Sequence, residues 1–519
     1  MDIYAKQAME ECSSEQTMVR QGGINGKPFW NVNSSQFMYA PSFCFPYICG
    51  VREYIFTAKD CKGNMHRFTA DKPTAPLAPI WKELEAGMVE LTVEAVCKTT
   101  GKTYLCGGRT FCKISSFPGR AALPKRTCSY KECATKAFRY VFNDEATRYW
   151  LTHGVPKPDY YHNVYPSKMI SSIIKAMIAY AELEPEHAND ALLTATRAAD
   201  YLLSITYGED SPLCGLPPTY SFKGMDQEMV ASTAPDDVSE REHQVMMIYP
   251  AFVGSAYCAL AKATGNKKYY DAAIKIAEYY KHNVLENGSW PLLVSEKTGK
   301  SETANCCLDA SILLFLSEIY AITGEECWHS LENNYFSYIR RTCLDNYNWE
   351  AQFEDTTLSC NYSNLSHINA GKIIEYIVDN LADDTEMLEE AIVLMRYIED
   401  QFVVWGDFAP WSPDKKPDEK WYSPAALEQY YWYVPIDGST ARVIQCFLKL
   451  YSVTGNELYL EKARALGDSI TRMQNKETGV IPTHWITTNC STELRNFWIN
   501  CHIGSSFIMF ELAKAEKEI

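Results

Sequence analysis

Two long polar segments of the chain contain the carboxylate side chains that cleavage of a glycosidic bond requires. Such hydrolysis uses one carboxyl group as a general acid and a second carboxylate as base or nucleophile. Within the run WEAQFEDT, Trp349 and Phe353 are placed to exclude water from neighbouring acidic side chains. The candidate catalytic carboxylates are Glu354 and Asp355 from residues 343–365, and Asp237 and Glu240 from residues 205–245.

A histidine and a tyrosine lie at the end of the second segment and just after it. His243 titrates near neutral pH in its unperturbed state, which suits a general base. Tyr249 can exchange a proton or orient a neighbouring group. We therefore add both residues to the candidate catalytic set, with the reservation that isolated histidines are more often packed or solvated than catalytic.

Aromatic residues in the same kind of segment favour a sugar ligand. Nine of the twelve tryptophans fall in long connections between helical stretches. Flat rings pack well on the apolar faces of sugars, although most of these tryptophans are expected to cover the core and only two or three to touch ligand. The predicted substrate contacts are His162, Trp290, Trp349, Trp411, Tyr433, His484, Trp485, Arg495, Trp498 and His502.

Recognition of a uronic acid would need a cation that pairs with its carboxylate. Arg495 lies in one of the long connections, and Arg109 and Arg120 lie in the N-terminal part of the chain. Arginine binds carboxylates through two parallel hydrogen bonds. The two N-terminal arginines would reach the substrate only if that part of the chain covers the predicted site.

Twelve amphipathic stretches with an apolar spacing of three to four residues are predicted to be helices. They lie near residues 129–145, 168–182, 187–204, 246–263, 267–284, 306–323, 325–342, 366–381, 384–402, 438–453, 457–473 and 499–516. A Thr-Gly turn recurs at Gly265, Gly324 and Gly455, where a left-handed residue would end one helix before the next begins. The repeat indicates a series of helical hairpins.

Alternation in composition indicates how these hairpins are arranged. One helix of each pair is poor in charge and the other carries a charged face, so apolar helices should be inner and amphipathic helices outer. Six such pairs predict an (α/α)6 toroid. The long connections all leave from one end of it, which places the candidate residues on a single face. These connections are residues 150–167, 205–245, 285–305, 343–365, 405–437 and 475–498.

Strand-like segments precede the helices. Residues 24–116 contain short aromatic and β-branched runs separated by turn residues, which predicts a small antiparallel β-sandwich. The complete prediction is a mainly α-helical protein with three parts. Residues 1–118 form the β-sandwich domain, residues 119–128 a linker and residues 129–519 the toroidal catalytic domain.

The charge distribution excludes some partners. Residues 1–128 contain 16 Lys and Arg and 11 Asp and Glu, which gives a net charge of +5. Since the whole chain carries −16, the remainder carries −21. This acidic main domain argues against nucleic acid as a partner. No apolar run approaches the length of a membrane span, and the N-terminus has no apolar signal core. We therefore expect a cytoplasmic location, or a periplasmic one if a signal was removed.

No motif calls for a cofactor or metal. The 19 cysteines are odd in number and contain no C-x-x-C pair, which is typical of reduced thiols rather than a disulfide framework or metal cluster. Phosphate-binding glycine loops and zinc-helix motifs are absent from the sequence. The predicted ligand is an oligosaccharide or glycoside, and homo-oligomer formation is left open.

Four stretches carry a resemblance to a known group: APLAPIW (75–81), WEAQFEDT (349–356), EDQFVVW (399–405) and GVIPTHW (479–485). With them, the chain resembles gut-bacterial β-glucuronidase-like glycoside hydrolases that carry a β-sandwich before an (α/α)6 toroid. That resemblance implies a retained carboxylate at Glu354 or Asp355. The architecture is also similar to that of unsaturated glucuronyl hydrolases, N-acylglucosamine 2-epimerases and polysaccharide lyases, so the fold does not fix the reaction.

The leading prediction is a glycoside hydrolase that removes a β-linked sugar, glucuronate above all, by carboxylate acid/base catalysis. One alternative is a polysaccharide lyase, in which a tyrosine or histidine removes the proton next to a neutralised carboxylate. Another is a sugar epimerase with His243, His484 or His502 as base. The last is a glycan-binding scaffold without activity.

Overall fold

The computed structural model describes residues 2–14, 34–233, 241–349, 366–406, 422–428, 434–485 and 497–518. Within these ranges, the longer strands all lie before residue 114 and the rest of the chain is mainly helical. The predicted order of a strand-rich segment followed by a helical one is therefore confirmed. In the part described, no helix combines the length and apolar composition needed to cross a membrane.

The N-terminal part begins with α1 (Ile3–Cys12), which starts where the Asp2 side chain accepts a hydrogen bond from the Tyr4 backbone amide. A short helix, α2 (Ala78–Trp81), interrupts the strands that follow. The strands are β1 (Gln36–Phe37), β2 (Ser42–Cys44), β3 (Val51–Lys59), β4 (Met65–Ala70), β5 (Thr74–Pro76), β6 (Gly87–Cys97) and β7 (Thr103–Lys113).

Five of these strands form one mixed sheet in the order β1-β7-β6-β3-β4, in which β1 is parallel to β7 and the other pairs are antiparallel. Strands β2 and β5 pair separately. The Phe43 ring of β2 lies 5.3 Å from the rings of both Phe37 and Phe111, so this pair covers the buried face of the sheet. The predicted antiparallel β-sandwich is not confirmed, because alternation identifies a buried face but not the layer that covers it.

Fourteen more helices are described after the strands. The twelve predicted helices are all present, and the short helices α4 and α7 are additional. The fourteen are α3 (Tyr130–Asn143), α4 (Glu145–His153), α5 (Pro166–Leu183), α6 (Ala188–Ile205), α7 (Gln227–Thr233), α8 (Tyr249–Thr264), α9 (Lys267–His282), α10 (Ser311–Thr323), α11 (Glu326–Ile339), α12 (Ile368–Asn380), α13 (Thr385–Phe402), α14 (Asp437–Thr454), α15 (Glu457–Met473) and α16 (Ile499–Ala515).

Two strand pairs join the connections between these helices. Strand β8 (Gln244–Met246) pairs with β9 (Leu293–Ser295), and β10 (Val403–Val404) pairs with β11 (Ala425–Ala426). Both pairs are antiparallel. The first pair links two successive connections, whereas the second lies within the single connection between α13 and α14.

Six helices form a closed inner ring. Helices α5, α8, α10, α12, α14 and α16 each contact the next, and α16 contacts α5 again. Outer helices α6, α9, α11, α13 and α15 each pack on the inner helix before them, and α3 packs on α16. The predicted (α/α)6 toroid is confirmed in the described residues, with the ring closed by pairing of its first and last helices.

The two ends of the ring differ because the hairpin turns are short at one end only. Gly265, Gly324 and Gly455 end α8, α10 and α14 in the left-handed conformation, with φ of 71°, 68° and 64°. Glycine adopts this conformation without steric cost. The inner helices therefore start at the opposite end, where the long connections lie, and this end is called the mouth.

The N-terminal sheet attaches to the outer wall of the ring at the C-terminal end of α13. The Asp400 carboxylate accepts hydrogen bonds from the backbone amides of Met38 and Tyr39, at 2.5 and 2.7 Å. Glu399 accepts from Lys462 Nζ at 2.7 Å and from the Tyr39 hydroxyl at 2.9 Å. All four charged or hydroxyl side chains are buried, so the contact is a fixed interface.

The two N-terminal arginines are engaged at this outer side. Arg120 forms an ion pair with Asp468 of α15, with Nε and Oδ2 2.8 Å apart. Arg109 donates a hydrogen bond to the Ser34 carbonyl oxygen within the N-terminal part. Uronate recognition by either arginine would require leaving these contacts, so neither is carried into the candidate site.

Candidate active site

The inner helices leave a pit along the axis of the ring. On α5 the half-buried residues Lys168, Ser172 and Lys175 recur every three or four positions between buried neighbours, and the other inner helices show the same pattern. On α16, Gly504 is exposed, and a Cβ atom at this position would meet nothing within 4 Å. Gly504 lies opposite the face that packs on α3, where His502 Nε2 is 3.0 Å from the Ala137 carbonyl oxygen. The axis-facing stripes therefore border open space.

At the mouth of the pit, a lysine lies among three aromatic rings. Lys168 Nζ, in the first turn of α5, is 5.8 Å from the ring centre of Tyr165, 5.6 Å from that of Tyr249 and 5.4 Å from that of Trp498. Such distances are those of cation–π interactions. The rings come from the starts of α5, α8 and α16, which are neighbours in the ring, so closure of the toroid brings this group together.

His162 forms the outer wall of this group. Its ring stacks on Trp498 with centroids 5.1 Å apart and planes 20° apart. Nδ1 lies 3.2 Å from the Tyr160 hydroxyl, whereas Nε2 has no hydrogen-bond partner among the described residues. Burial, reinforced by the positive charge of Lys168, lowers the pKa of His162 to about 3. The imidazole is therefore neutral at physiological pH.

A buried carboxyl group lies beside the mouth at the start of α14. The Ser505 hydroxyl donates to Asp437 Oδ2 at 3.0 Å, and Oδ1 has no partner among the residues described. Burial raises the pKa of Asp437 well above its ordinary value, with a further contribution from the nearby Glu428. Burial therefore favours the neutral form of Asp437, which adds less negative charge beside the mouth than an ordinary carboxylate would.

Charged residues from opposite helices meet deeper in the pit. Glu375 of α12 accepts hydrogen bonds from Lys372 Nζ at 2.8 Å and from Gln445 Nε2 at 3.1 Å. Burial alone would raise its pKa, but the neighbouring cations outweigh it and the pKa of Glu375 falls below its ordinary value. Lys175 faces this group from α5, on the other side of the ring.

At the same depth, burial shifts the pKa values of Lys175 and Glu318 in opposite directions. It lowers the pKa of Lys175, against the opposing charge of Glu318. It raises the pKa of Glu318, although Lys175 and the Ser255 hydroxyl oppose this shift. Both side chains are half-buried, so the shifts follow from partial removal from water.

Three of the predicted site residues meet at the mouth: His162, Tyr249 and Trp498. Lys168, which holds them together, was not predicted. Its signal in the sequence was the spacing of Lys168 and Lys175, which places two lysines on one face of a largely apolar helix. His484 lies at the same end of the ring, where its backbone pairs with Ile436 just before α14.

His243 is exposed, and its Nδ1 lies 3.2 Å from Glu296 Oε2 in the next connection. Among the described residues, His243 makes no hydrogen bond, ion pair or ring contact with the aromatic group at the mouth. Its role as a base therefore stays a prediction that the geometry does not strengthen.

Four other predicted contacts are fully buried in the core. The indole nitrogens of Trp290 and Trp485 donate to backbone carbonyl oxygens at 2.8 and 2.9 Å, and Trp349 stacks on Tyr397. His502 accepts a hydrogen bond at Nδ1 and lies within bonding distance of a carbonyl oxygen at Nε2. A buried side chain has no surface left for a sugar, so these four residues are assigned to the core instead. His162 is equally buried, so it supports Trp498 from behind and does not contact a sugar.

Seven predicted site residues lie outside the described residues. They comprise the four candidate carboxylates and three substrate contacts. They are Glu354, Asp355, Asp237, Glu240, Trp411, Tyr433 and Arg495.

One group in the described part of the chain has the composition of a metal site: Glu184, Glu186 and His187, in the turn after α5. Glu184 is already paired with Arg139 at 3.0 Å, and the His187 ring stacks on Tyr180. Acidic groups of this kind are common without an ion, and these contacts account for two of the three side chains. The turn also lies at the end of the ring away from the mouth, so it is not part of the candidate site.

No protein-family model matches the sequence, and no curated protein matches it. Among solved structures, the chain is similar to a family 76 glycoside hydrolase from a bovine Bacteroides thetaiotaomicron strain, with 10% identity, a TM-score of 0.46 and coverage of 90% of this chain and 94% of that one. It is also similar to cellobiose 2-epimerase from Spirochaeta thermophila, with 12% identity, a TM-score of 0.49 and coverage of 75% and 98%.

A third similar structure is an unsaturated glucuronyl hydrolase specific for heparin, with 10% identity, a TM-score of 0.46 and coverage of 75% and 98%. These proteins catalyse different reactions. Likenesses of this strength do not assign an activity to the present chain.

Proposed function

We propose that the protein is a glycoside hydrolase that binds a β-linked uronic acid sugar in the axial pit. The observation that carries the proposal is the position of Lys168 among Tyr165, Tyr249 and Trp498 at the mouth. Aromatic faces pack on the apolar faces of a sugar ring, and an ammonium group balances a carboxylate. Together they suit a sugar acid better than a neutral sugar.

The charge of the pit supports an anionic ligand. The whole chain carries −16, yet the axis-facing residues described here include five cations and three carboxylates, with Glu428 also near the mouth. The cations are Lys168, Lys175, Lys372, Arg442 and Lys449, and the carboxylates are Glu318, Glu375 and Asp379. A cleft that departs in sign from its surroundings concentrates a ligand of opposite charge.

For the chemistry, we propose that Glu354 or Asp355 faces Asp237 or Glu240 across the sugar held at the mouth. One carboxyl group protonates the leaving oxygen, and the other activates water or attacks the sugar carbon. The long connections that contain these residues start at the mouth end of the ring. A β-glucuronidase-like reaction is the specific form of the proposal.

One observation favours a second candidate, a lyase. β-Elimination needs a cation that neutralises the uronate carboxylate and a base that removes the adjacent proton. Lys168 and Tyr249 lie together at the mouth, where they provide a cation and a candidate base. An epimerase that uses His502 as base has less support, because both of its ring nitrogens contact backbone atoms in the core.

A screen of aryl glycosides, including the β-glucuronide, separates these functions when it is run beside an ultraviolet assay on uronic acid polysaccharides. A hydrolase releases the aryl group without forming an unsaturated product, whereas a lyase produces ultraviolet absorbance. At least one of Glu354→Gln and Asp355→Asn should reduce aryl release by 100-fold or more, on the order expected for loss of a catalytic carboxyl group. Binding of the sugar acid without turnover in either assay would favour the remaining alternative, a glycan-binding scaffold without activity.

A further inference from the structure

Two cations in the pit have no ion-pair partner among the described residues: Lys175 on α5 and Arg442 on α14. Other cations on the axis-facing stripes are paired. Lys372 Nζ lies 2.8 Å from Glu375, and Lys449 Nζ lies 2.6 Å from Asp379 at the far end of the pit. Lys175 and Arg442 thus stand out from cations on the same helical faces.

These two cations belong to one cluster. Lys175 is within electrostatic range of Lys372 and Glu375, and Arg442 is within range of Glu375 as well. With Lys372, the cluster has three cations and two carboxylates, Glu375 and Glu318, so it carries one excess positive charge. Its side chains are half-buried.

The backbone of α12 holds Arg442 in position. A Cβ atom added to Gly371 would lie 3.4 Å from Arg442 Cγ and 3.1 Å from Cys446 Sγ. Because Gly371 has no side chain, the Arg442 stem lies close against α12. A guanidinium group held in this way offers several N–H donors in one plane, which matches the geometry of an oxyanion.

This cluster lies deeper in the pit than the aromatic group at the mouth. Lys168 and Lys175 are seven residues apart on α5, or about 10 Å along the axis at about 1.5 Å per residue. One cation site is thus at the mouth and a second lies below it. A ligand that uses both must carry two anionic groups separated by more than one sugar ring.

We propose that Arg442 and Lys175, supported by Lys372, form an oxyanion subsite that takes a sulfate or phosphate ester on the sugar chain whose uronate lies at the mouth. The link to the uronate rests on the proposed function, whereas the anion site itself does not. A half-buried cation without an ion-pair partner has lost part of its hydration, and a bound anion compensates that loss. A bound ester supplies that charge.

The test uses inorganic sulfate and inorganic phosphate as probes, each titrated at constant ionic strength against chloride while thermal unfolding is followed. Arg442→Gln and Lys175→Met should each weaken the apparent affinity for the better anion at least tenfold. Lys449→Gln is the matched control, because it removes a paired cation from the same face of α14 and should leave the affinity within twofold of wild type. Comparison of the two salts decides between a sulfate and a phosphate ester.

Sulfate and phosphate also stabilise proteins without binding to a site, and this effect is common to all variants. Equal anion-dependent shifts in wild type, Arg442→Gln and Lys175→Met would overturn the proposal, as would no shift in wild type. Without anion, the two pit variants should unfold at the wild-type temperature or above it, which excludes misfolding as the cause. Lys168→Met should lose turnover and keep the anion titration, so the failure of the proposed activity is distinguishable from failure of the subsite.

Discussion

The protein contains a buried group of charged residues in which each charge has a partner, and a half-buried group in which two cations have no ion-pair partner among the described residues. At the interface between the N-terminal sheet and the ring, Glu399 receives hydrogen bonds from Lys462 and Tyr39. In the pit, Lys175 and Arg442 have no ion-pair partner among the described residues. Buried polar groups are almost always satisfied within the fold, and the interface follows this rule. The half-buried cations of the pit are left to solvent or to a ligand, so the difference indicates that the interface serves stability and that the pit is suited to bind an anion.

The largest loss of stability should come from breaking the ion pair between Lys462 and Glu399 at the interface. Lys462→Met leaves the Glu399 carboxylate buried without its cation, and should lower the free energy of unfolding by about 3–5 kcal/mol. Urea denaturation measures this loss. The double variant Lys462→Met/Glu399→Gln should recover part of it, because no uncompensated charge remains. A loss below about 1 kcal/mol in the single variant would show that this pair does not stabilise the interface.

Asp400 should make the stability of the same interface depend on pH. Burial raises its pKa to about 7, although amide hydrogen bonds from Tyr39 and Met38 oppose the shift. Its folded-state pKa thus lies above the unfolded value of about 4, so the folded state binds the proton more tightly. The stabilisation is complete below pH 4 and is lost as pH rises to 7, with a slope of at most about 1.4 kcal/mol per pH unit.

Urea denaturation at a series of pH values measures this slope. Asp400→Asn cannot ionise, and should flatten the dependence between pH 4 and 7 while other titrating groups contribute equally to both proteins. An unchanged slope in Asp400→Asn would show that Asp400 is not the group responsible.

At the mouth of the pit, loss of the lysine should affect activity rather than stability. Lys168→Met removes the cation proposed to bind the uronate carboxylate, and should lower kcat/KM for an acidic glycoside about 100-fold, equivalent to about 2.7 kcal/mol. Lys131→Met, at an exposed position on α3, is the control and should leave the kinetics unchanged. Equal turnover of acidic and neutral glycosides by Lys168→Met and wild type would remove the charge argument.

The smallest effect on stability is expected deepest in the pit. Arg442→Gln and Lys175→Met remove cations that are not paired in the described residues, so the free energy of unfolding should change by less than about 1 kcal/mol or rise. The contrast with Lys462→Met is the direct comparison of the two charged groups. A loss of several kcal/mol in both pit variants would show that these cations are structural after all.

The ring was predictable from the sequence because its signals are local. Thr-Gly turns and apolar periodicity mark each hairpin, and they do not depend on distant residues. Helix α4 was missed because Asp144 ends one helix and caps the next, accepting from the amides of Ala146 and Thr147 with no turn between. The layer over the N-terminal sheet was not predictable, since strand alternation does not identify what covers a face.

The site was less predictable because it is assembled from opposite sides of the ring. Lys175 and Arg442 are 267 residues apart, and no spacing in the sequence relates them. Position in the sequence also misled: His502 lies at the mouth end of α16, but its side chain points to α3 rather than to the axis. Side-chain direction on a helix follows from packing, which the order of residues specifies only in part.

A structure of the protein with a non-cleavable uronic acid glycoside tests the central claim most directly. The sugar should occupy the axial pit, with its ring against Trp498 and its carboxylate within hydrogen-bonding distance of Lys168 Nζ. A sugar bound away from the mouth, and away from residues 205–245 and 343–365, would contradict the assignment of the pit as the active site.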